Sequence, residues 1–235
     1  TGLIHHPYQP PEGFAAPQPG VYKASTVIFP DVATLRARDW RSRAGYSYGL
    51  LGTPTTYTLE ARIASLEGGH QCLLVPSGLA AIALVDMALL KQGDEVLIPD
   101  NAYGPSVSFA EVELAKWGIT HQRYDPLEPA SLARLISPAT RLVWLEAAGS
   151  VTLEFPDVPA LVAVVQAANT ERAGRRIVTA LDNTWGAGVA FAPFVLGVDV
   201  SMQALTKYPS GGADVLMGSV VTNQLSLHRQ VLLTH

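Results

Sequence analysis

Lys207 lies in the run Ala204-Leu205-Thr206-Lys207-Tyr208, just past the apolar stretch Val198-Asp199-Val200-Ser201-Met202. The stretch predicts a buried strand, which puts a lysine at its C-terminal end. A lysine so placed is expected to be poorly solvated, and burial favours the neutral amine. A neutral amine attacks an aldehyde and holds it as a Schiff base. Asp182 stands twenty-five residues earlier, at the end of a second apolar run, Ile177-Val178-Thr179-Ala180-Leu181. A strand-end acid can keep a heterocyclic nitrogen protonated. Acid and lysine together form the pair that pyridoxal phosphate chemistry requires. Spacing alone leaves a structural ion pair equally open.

Other residues add to this pair. Ser77-Gly78-Leu79-Ala80 joins a predicted strand to an alanine-rich helix. Gly78 permits a tight turn, and the amides of Gly78 and Leu79 would open the helix, where unpaired N–H groups favour a phosphate. The signal is weak by itself, because many strand-to-helix turns read Ser-Gly. Tyr103, in Asp100-Asn101-Ala102-Tyr103-Gly104-Pro105, follows the next strand and could stack on a planar ring; packing on its own turn is as good a reading. Tyr46 and Tyr48 sit in the glycine-bearing loop Gly45-Tyr46-Ser47-Tyr48-Gly49 and could donate to phosphate oxygens or merely pack. Glu146 ends a strand with no partner at fixed spacing, and Trp185 and Tyr208 read as site walls or core. The histidines are scattered and suggest no metal cluster. Walker, G-x-G-x-x-G, H-E-x-x-H and G-x-S-x-G motifs do not occur, so the common alternatives for an α/β enzyme lack their marks.

The elements that would position these residues follow from composition and pattern. The chain has 235 residues with 48% hydrophobic content, enough for a sizeable core. A net charge of −4 gives no basic face for nucleic acid. The one cysteine, Cys72, cannot form an internal disulfide, starts an apolar run and reads as core in a reducing compartment, so a cytoplasmic location is expected. No apolar stretch is long enough to span a bilayer, and no signal peptide is visible. The first residue is not methionine, which suggests that initial residues of the gene product are absent.

Prolines at 7, 10, 11, 17, 19 and 30 predict an extended N-terminal arm of the kind that wraps a neighbouring subunit or frays. Asp31 is expected to cap a helix reaching Arg41. Leu59, Ile63 and Leu66 share one helical face, ended by Gly68-Gly69. Strands are expected at 72–75, 95–98, 120–124, 141–146, 177–182, 200–205 and 215–221. Helices are expected at 79–91, 104–117, 129–136 and 158–170. Near-continuous apolar strands alternating with helices predict an α/β sandwich on a mostly parallel seven-stranded sheet. Ligands bind such sheets at the carboxyl ends of the strands, where Asp182 and Lys207 fall. Residues 1–45 read as arm and short helix, and 46–235 as one large domain.

Taken together, the chain resembles the pyridoxal-phosphate enzymes of cysteine and methionine metabolism. The resemblance is carried by Tyr48-Gly49, Thr53-Pro54-Thr55, Leu66-Glu67-Gly68-Gly69, Pro76-Ser77-Gly78, Gly93-Asp94-Glu95-Val96-Leu97 and Asn101-Ala102-Tyr103. It continues with Leu145-Glu146, Gly149-Ser150, Asp157-Val158-Pro159-Ala160, Asp182-Asn183-Thr184-Trp185 and Thr206-Lys207-Tyr208. It implies the large domain of the aspartate-aminotransferase-like fold (fold type I) and pyridoxal 5'-phosphate as cofactor. It implies that Lys207 holds the aldehyde and takes the substrate α-proton, that Asp182 pairs with the pyridinium, and that Tyr103 stacks on the ring. It further implies that Gly78, Leu79 and Thr206 bind the phosphate. Tyr48 would reach the phosphate of the neighbouring subunit, giving a homodimer or homotetramer with a shared site. The substrate would be a sulfur-containing amino acid. Gly149-Ser150, where relatives often carry Asn-Pro, leans toward β-elimination over the γ-lyases and γ-synthases.

Three departures accompany the resemblance. The family's phosphate-binding arginine is Leu50 here, a frequent serine three residues before the lysine is Ala204, and a common histidine is Gly212. The first two remove phosphate donors. Full chains of the family continue into a C-terminal domain that binds the substrate carboxylate, and this chain stops at His235. A catalytically incomplete cofactor-binding or assembly fragment is the reading from another class.

Overall fold

A computed structural model describes residues 12–13, 18–41 and 45–235. His5, His6 and the prolines at 7, 10, 11 and 17 lie outside them. All seven expected strands form: β1 Gln71–Val75, β2 Glu95–Pro99, β3 Thr120–Tyr124, β4 Thr140–Glu146, β5 Val178–Asp182, β6 Val200–Gln203 and β7 Gly218–Thr222. They make one sheet in the order β1-β7-β6-β5-β4-β2-β3. Pairings from β3 to β6 are parallel, and β7 runs antiparallel to both β1 and β6.

The helices are α1 Val32–Ala37, α2 Pro54–Glu67, α3 Gly78–Leu89, α4 Gly104–Phe109, α5 Pro129–Leu135, α6 Val158–Thr170 and α7 Leu225–Thr234. α1 is shorter than expected. The Asp31 cap forms, accepting from the Thr34 amide at 2.6 Å, but the helix ends before Arg41 and buries no residue. Without a packed face, one turn and a half is all the cap sustains. The helix expected over 104–117 changes to a π-helical segment at Ala110–Leu114. β6 stops at Gln203 rather than 205, and β7 begins at Gly218 rather than 215.

Alternation along the strands divides the core. Leu73, Val96, Ile98, Leu142, Trp144, Ala180, Met202 and Val220 face α3, α4 and α7. Leu97, Val143, Leu145 and Leu181 face α5 and α6. A smaller cluster joins Ile63 and Ala64 of α2 to Cys72, Leu205 and Val221. Both faces are covered over the inner strands, which is why these lack polar alternation, whereas the edge strand β3 is polar and mostly exposed. Cys72 is buried there, as its apolar run predicts. No helix among the described residues is long and apolar enough to cross a membrane.

Two features of this topology place the site. β3 lies outside β2, whereas β4 returns to the other side of it. The chain therefore changes direction between β2 and β4, opening a crevice at their carboxyl ends. An antiparallel return also needs no crossover helix. The connection from β6 to β7 can thus stay at that same edge, and it carries Lys207.

Candidate functional site

Asp182 ends β5, is buried, and pairs in register with Glu146 on β4 and Met202 on β6. Its Oδ1 accepts from the Thr184 amide at 2.9 Å. The Thr184 hydroxyl in turn accepts from the Ala204 amide at 2.9 Å, tying the loop after β5 to the loop after β6. Burial pushes the Asp182 carboxyl above its usual range, against the Thr184 hydrogen bond. No ion pair to Asp182 occurs among the described residues.

The N-terminus of α3 meets this edge at close range. Ser77 caps the helix, accepting from the Ala80 amide at 3.0 Å. A Cβ on Gly78 would stand 2.6 Å from the Cβ of Ala204, and one on Gly218 would stand 2.3 Å from the Ser77 carbonyl oxygen. Glycine at both positions lets α3 rest directly on the ends of β6 and β7. The amides of Gly78 and Leu79 open the helix and have no preceding turn to donate to. Asp182, Thr184, Ala204 and Gly78 thus form a continuous chain of neighbours, although they are far apart in sequence.

Tyr103 sits at the switch between β2 and β4. Its amide donates to Glu146 Oε2 at 2.8 Å, and its side chain is exposed. Glu146 is the partner that spacing could not find. It is buried beside Asp182, and burial together with the Asp182 charge holds its carboxyl well above the usual range. Only strand register brings these two acids together, so nothing in the linear sequence signals the pair.

Lys207 corrects an expectation. It is exposed and lies four residues beyond β6, not in the poorly solvated strand end anticipated. The reason is the early end of β6: from Ala204 the chain turns outward, with the Lys207 amide donating to the Ala204 carbonyl at 3.0 Å. The Thr206 hydroxyl is engaged on both sides, donating to the Met217 carbonyl and accepting from the Met217 amide, each at 3.1 Å. Its single hydrogen is therefore already placed on Met217. Trp185 and Tyr208, both exposed, meet at 6.0 Å between ring centroids.

Tyr48 belongs to a different neighbourhood. It bridges to Thr26 of the arm, and the Gly49 amide donates to the Ser25 carbonyl at 2.7 Å. Tyr46 stacks on Tyr57 with centroids 5.4 Å apart. Tyr48 and Leu50 are both exposed.

Glu67 was also not singled out as a site residue. It is fully buried on the other face of the sheet, accepting from the Ser201 hydroxyl at 2.5 Å and the Asn183 amide at 3.1 and 3.2 Å. Burial pushes its carboxyl up to about 7. It steadies the residue after Asp182 from below. A cavity of about 900 Å³ between α2 and α7, lined by Tyr57, Glu60, Cys72 and His228, does not include Asp182, Tyr103 or Lys207 in its lining.

The donor set suits a phosphorylated pyridine. Among the described residues a buried acid lies unpaired by a cation, the first amides of a helix open at the same edge, and an exposed amine stands on the adjoining loop. The family described as Cys/Met metabolism PLP-dependent enzyme matches residues 1–235. The chain is 40% identical over 204 residues to the cystathionine beta-lyase MetC of Escherichia coli, covering 86% of this chain and 50% of that protein. It is 32% identical over 229 residues to the L-methionine gamma-lyase of Pseudomonas putida, covering 97% of this chain and 56% of the relative. It is also 37% identical over 213 residues to the L-alanine/L-glutamate racemase of Wolbachia pipientis, covering 86% and 51%. The crystal structure of metB from Corynebacterium glutamicum superposes with a TM-score of 0.88 at 25% identity, over 99% of this chain and 57% of that one. The chain spans about half the length of the curated relatives it matches.

Proposed function

The chain belongs to the Cys/Met-metabolism enzymes that depend on pyridoxal 5'-phosphate, and from that premise we propose that it carries the cofactor site of a carbon–sulfur β-lyase. The reaction converts L-cystathionine and water to homocysteine, pyruvate and ammonia. The observation that carries the reading is the buried, cation-free Asp182 beside the α3 N-terminus and the Lys207 loop. Bound there, the cofactor supplies an electron sink for the carbanion formed when the substrate α-proton leaves.

The chain's own residues do the rest. Lys207, at the end of a four-carbon stem, would hold the cofactor aldehyde and, once free of it, would take the substrate α-proton. Asp182 keeps the pyridine nitrogen protonated, a role for which burial suits it because a charge pair is strengthened where water is excluded. The Gly78 and Leu79 amides take the phosphate. Thr206 adds a third donor by turning its hydroxyl hydrogen from Met217. The exposed Tyr103 side chain would stack on the ring. Electrons from the Cα–H bond form a Cα=Cβ bond as the Cβ–S bond breaks, and the departing sulfur takes a proton. Tyr48 of a neighbouring copy reaches the same phosphate, so the working assembly is at least a homodimer.

Gly149-Ser150 and the several β-lyase names among the relatives favour β-elimination. The γ-lyase relative keeps γ-elimination as a second reading. Borohydride reduction of the whole protein loaded with cofactor, followed by peptide mapping, tests the site: label on Lys207 is expected, and label elsewhere refutes it. Pyruvate released from cystathionine supports the β-lyase, whereas 2-oxobutyrate supports the γ-lyase.

A further inference from the structure

Glu146 has no part in the reaction above, yet it is buried between two residues that do. Its Oε2 accepts from the Tyr103 amide at 2.8 Å. On its other side it pairs in register with Asp182 on the adjacent parallel strand, where strands lie about 4.8 Å apart. Residues paired in register point to the same face, so the two carboxyls lie side by side. Neither makes an ion pair among the described residues.

The groups around Glu146 leave it little to balance a second negative charge. From β5 it meets Asp182, and from β3 the Tyr124 phenol, itself donated to the Trp144 carbonyl at 2.7 Å. Asp100, just after β2, acts with Glu146 on that same phenol, and its carbonyl accepts from Arg123. The following loop offers the Ser150 hydroxyl, while Glu154 of that loop accepts from Asn101 at 3.3 Å. Lys207 is exposed on the β6–β7 loop. Two adjacent carboxyls in such a setting retain one proton between them. Each carboxyl accepts one backbone amide, Tyr103 on Glu146 and Thr184 on Asp182, and beyond burial it is the Asp182 charge beside it that raises Glu146, so the proton rests on Glu146.

We propose that Glu146 is a positioning residue that works as a neutral acid: its carbonyl oxygen fixes the backbone at Tyr103, and its proton leaves Asp182 as the only charge of the pair. This rests on the cofactor roles proposed for Tyr103 and Asp182. A single arrangement then sets the height of the stacking ring and the charge opposite the pyridine nitrogen.

The test uses the cofactor-free whole protein, so it does not depend on turnover. Infrared difference spectra with labelled glutamate follow Glu146 ionisation, and hydrogen exchange follows the Tyr103 amide. In the wild type, Glu146 should stay protonated well above the ordinary carboxylate range. In Asp182→Asn its ionisation midpoint should fall by about one pH unit or more, because the charge opposing it has gone. Glu146→Gln keeps a neutral carbonyl and should leave Tyr103 exchange within about threefold. Glu146→Ala should raise it at least about tenfold through loss of one buried hydrogen bond. Glu146 ionising like an exposed glutamate, or Gln and Ala variants exchanging equally, overturns the proposal. Should the Ala variant fail to fold, the Glu146→Gln exchange rate and the Asp182→Asn titration still decide. Cofactor attachment at a residue other than Lys207 would instead sink the proposed function and leave these readouts unaffected.

Discussion

Replacing Gly78 by alanine should destabilise the protein, against the usual sign for that substitution. Gly78 opens α3 with a backbone that needs no left-handed conformation, and alanine is the better helix former by about 0.8–1 kcal/mol in a helix interior. The added Cβ, however, would lie 2.6 Å from the Ala204 Cβ and 3.2 Å from its Cα. Carbon atoms in contact prefer roughly 3.5–4.0 Å, so α3 or the end of β6 must retreat by about 1 Å. Ala204 is held by its amide bond to Thr184, and Ser77 by its cap, so neither moves freely. Overpacking of this kind costs about 1–3 kcal/mol. Net of the propensity gain, the loss should be up to about 2 kcal/mol, or a Tm lower by up to roughly 8 °C for a chain of this size. Ala204→Gly removes the first contact and leaves the second, so the double variant should be less destabilised than the sum by about 0.5 kcal/mol or more. Cofactor affinity should fall in parallel, since the same shift displaces the Gly78 and Leu79 amides proposed to take the phosphate. Thermal unfolding of the four proteins checks the energies, and fluorescence titration with pyridoxal phosphate checks the affinity. A Tm for Gly78→Ala at or above the wild type would refute the close approach of α3 to β6.

Three further outcomes follow from the same structure. Asp86 is buried in the α3 face of the core, accepts from the Trp144 indole at 2.8 Å, and is pushed up to about 7 by burial. The folded state therefore binds its proton more tightly than the unfolded one. Stability from this group is fully present below about pH 4 and declines as pH rises to about 7. Asp86→Asn should flatten that decline, seen in urea midpoints measured between about pH 5 and pH 8. Ser201→Ala removes a 2.5 Å bond to buried Glu67 and leaves it Asn183 alone; chemical denaturation should show a loss of about 1–3 kcal/mol. Leu50 is exposed at the position where the family resemblance implies a phosphate-binding arginine, so Leu50→Arg should tighten cofactor binding about tenfold in the assembled protein, equivalent to one charge-assisted contact. An unchanged Kd would remove that loop from the phosphate site.

The inner strands of the sheet were legible because they are covered on both faces. A parallel strand buried on both faces is a mostly apolar run, as in β2 and β4, whereas the edge strand β3 is polar and mostly exposed. Strand ends were less legible where loops take over: β6 stops at Gln203, although Leu205 continues the apolar pattern, because Leu205 packs against α2 rather than within the ladder. The pairing of Asp182 with Lys207 was suggested by strand-end position and strengthened by the resemblance. The exposure of Lys207 was not, since solvation depends on where the loop turns.

Sequence by itself determined the element types, the alternation of strand and helix, and the residue types needed for the chemistry, because each is a local property of pattern and composition. Tertiary structure alone decided that Glu146 stands beside Asp182, that Thr184 clasps Ala204, and that α3 touches β6 only because residue 78 lacks a Cβ. Those are contacts between segments tens of residues apart. Register, strand order and the antiparallel turn of β7 create them, and no spacing along the chain encodes these.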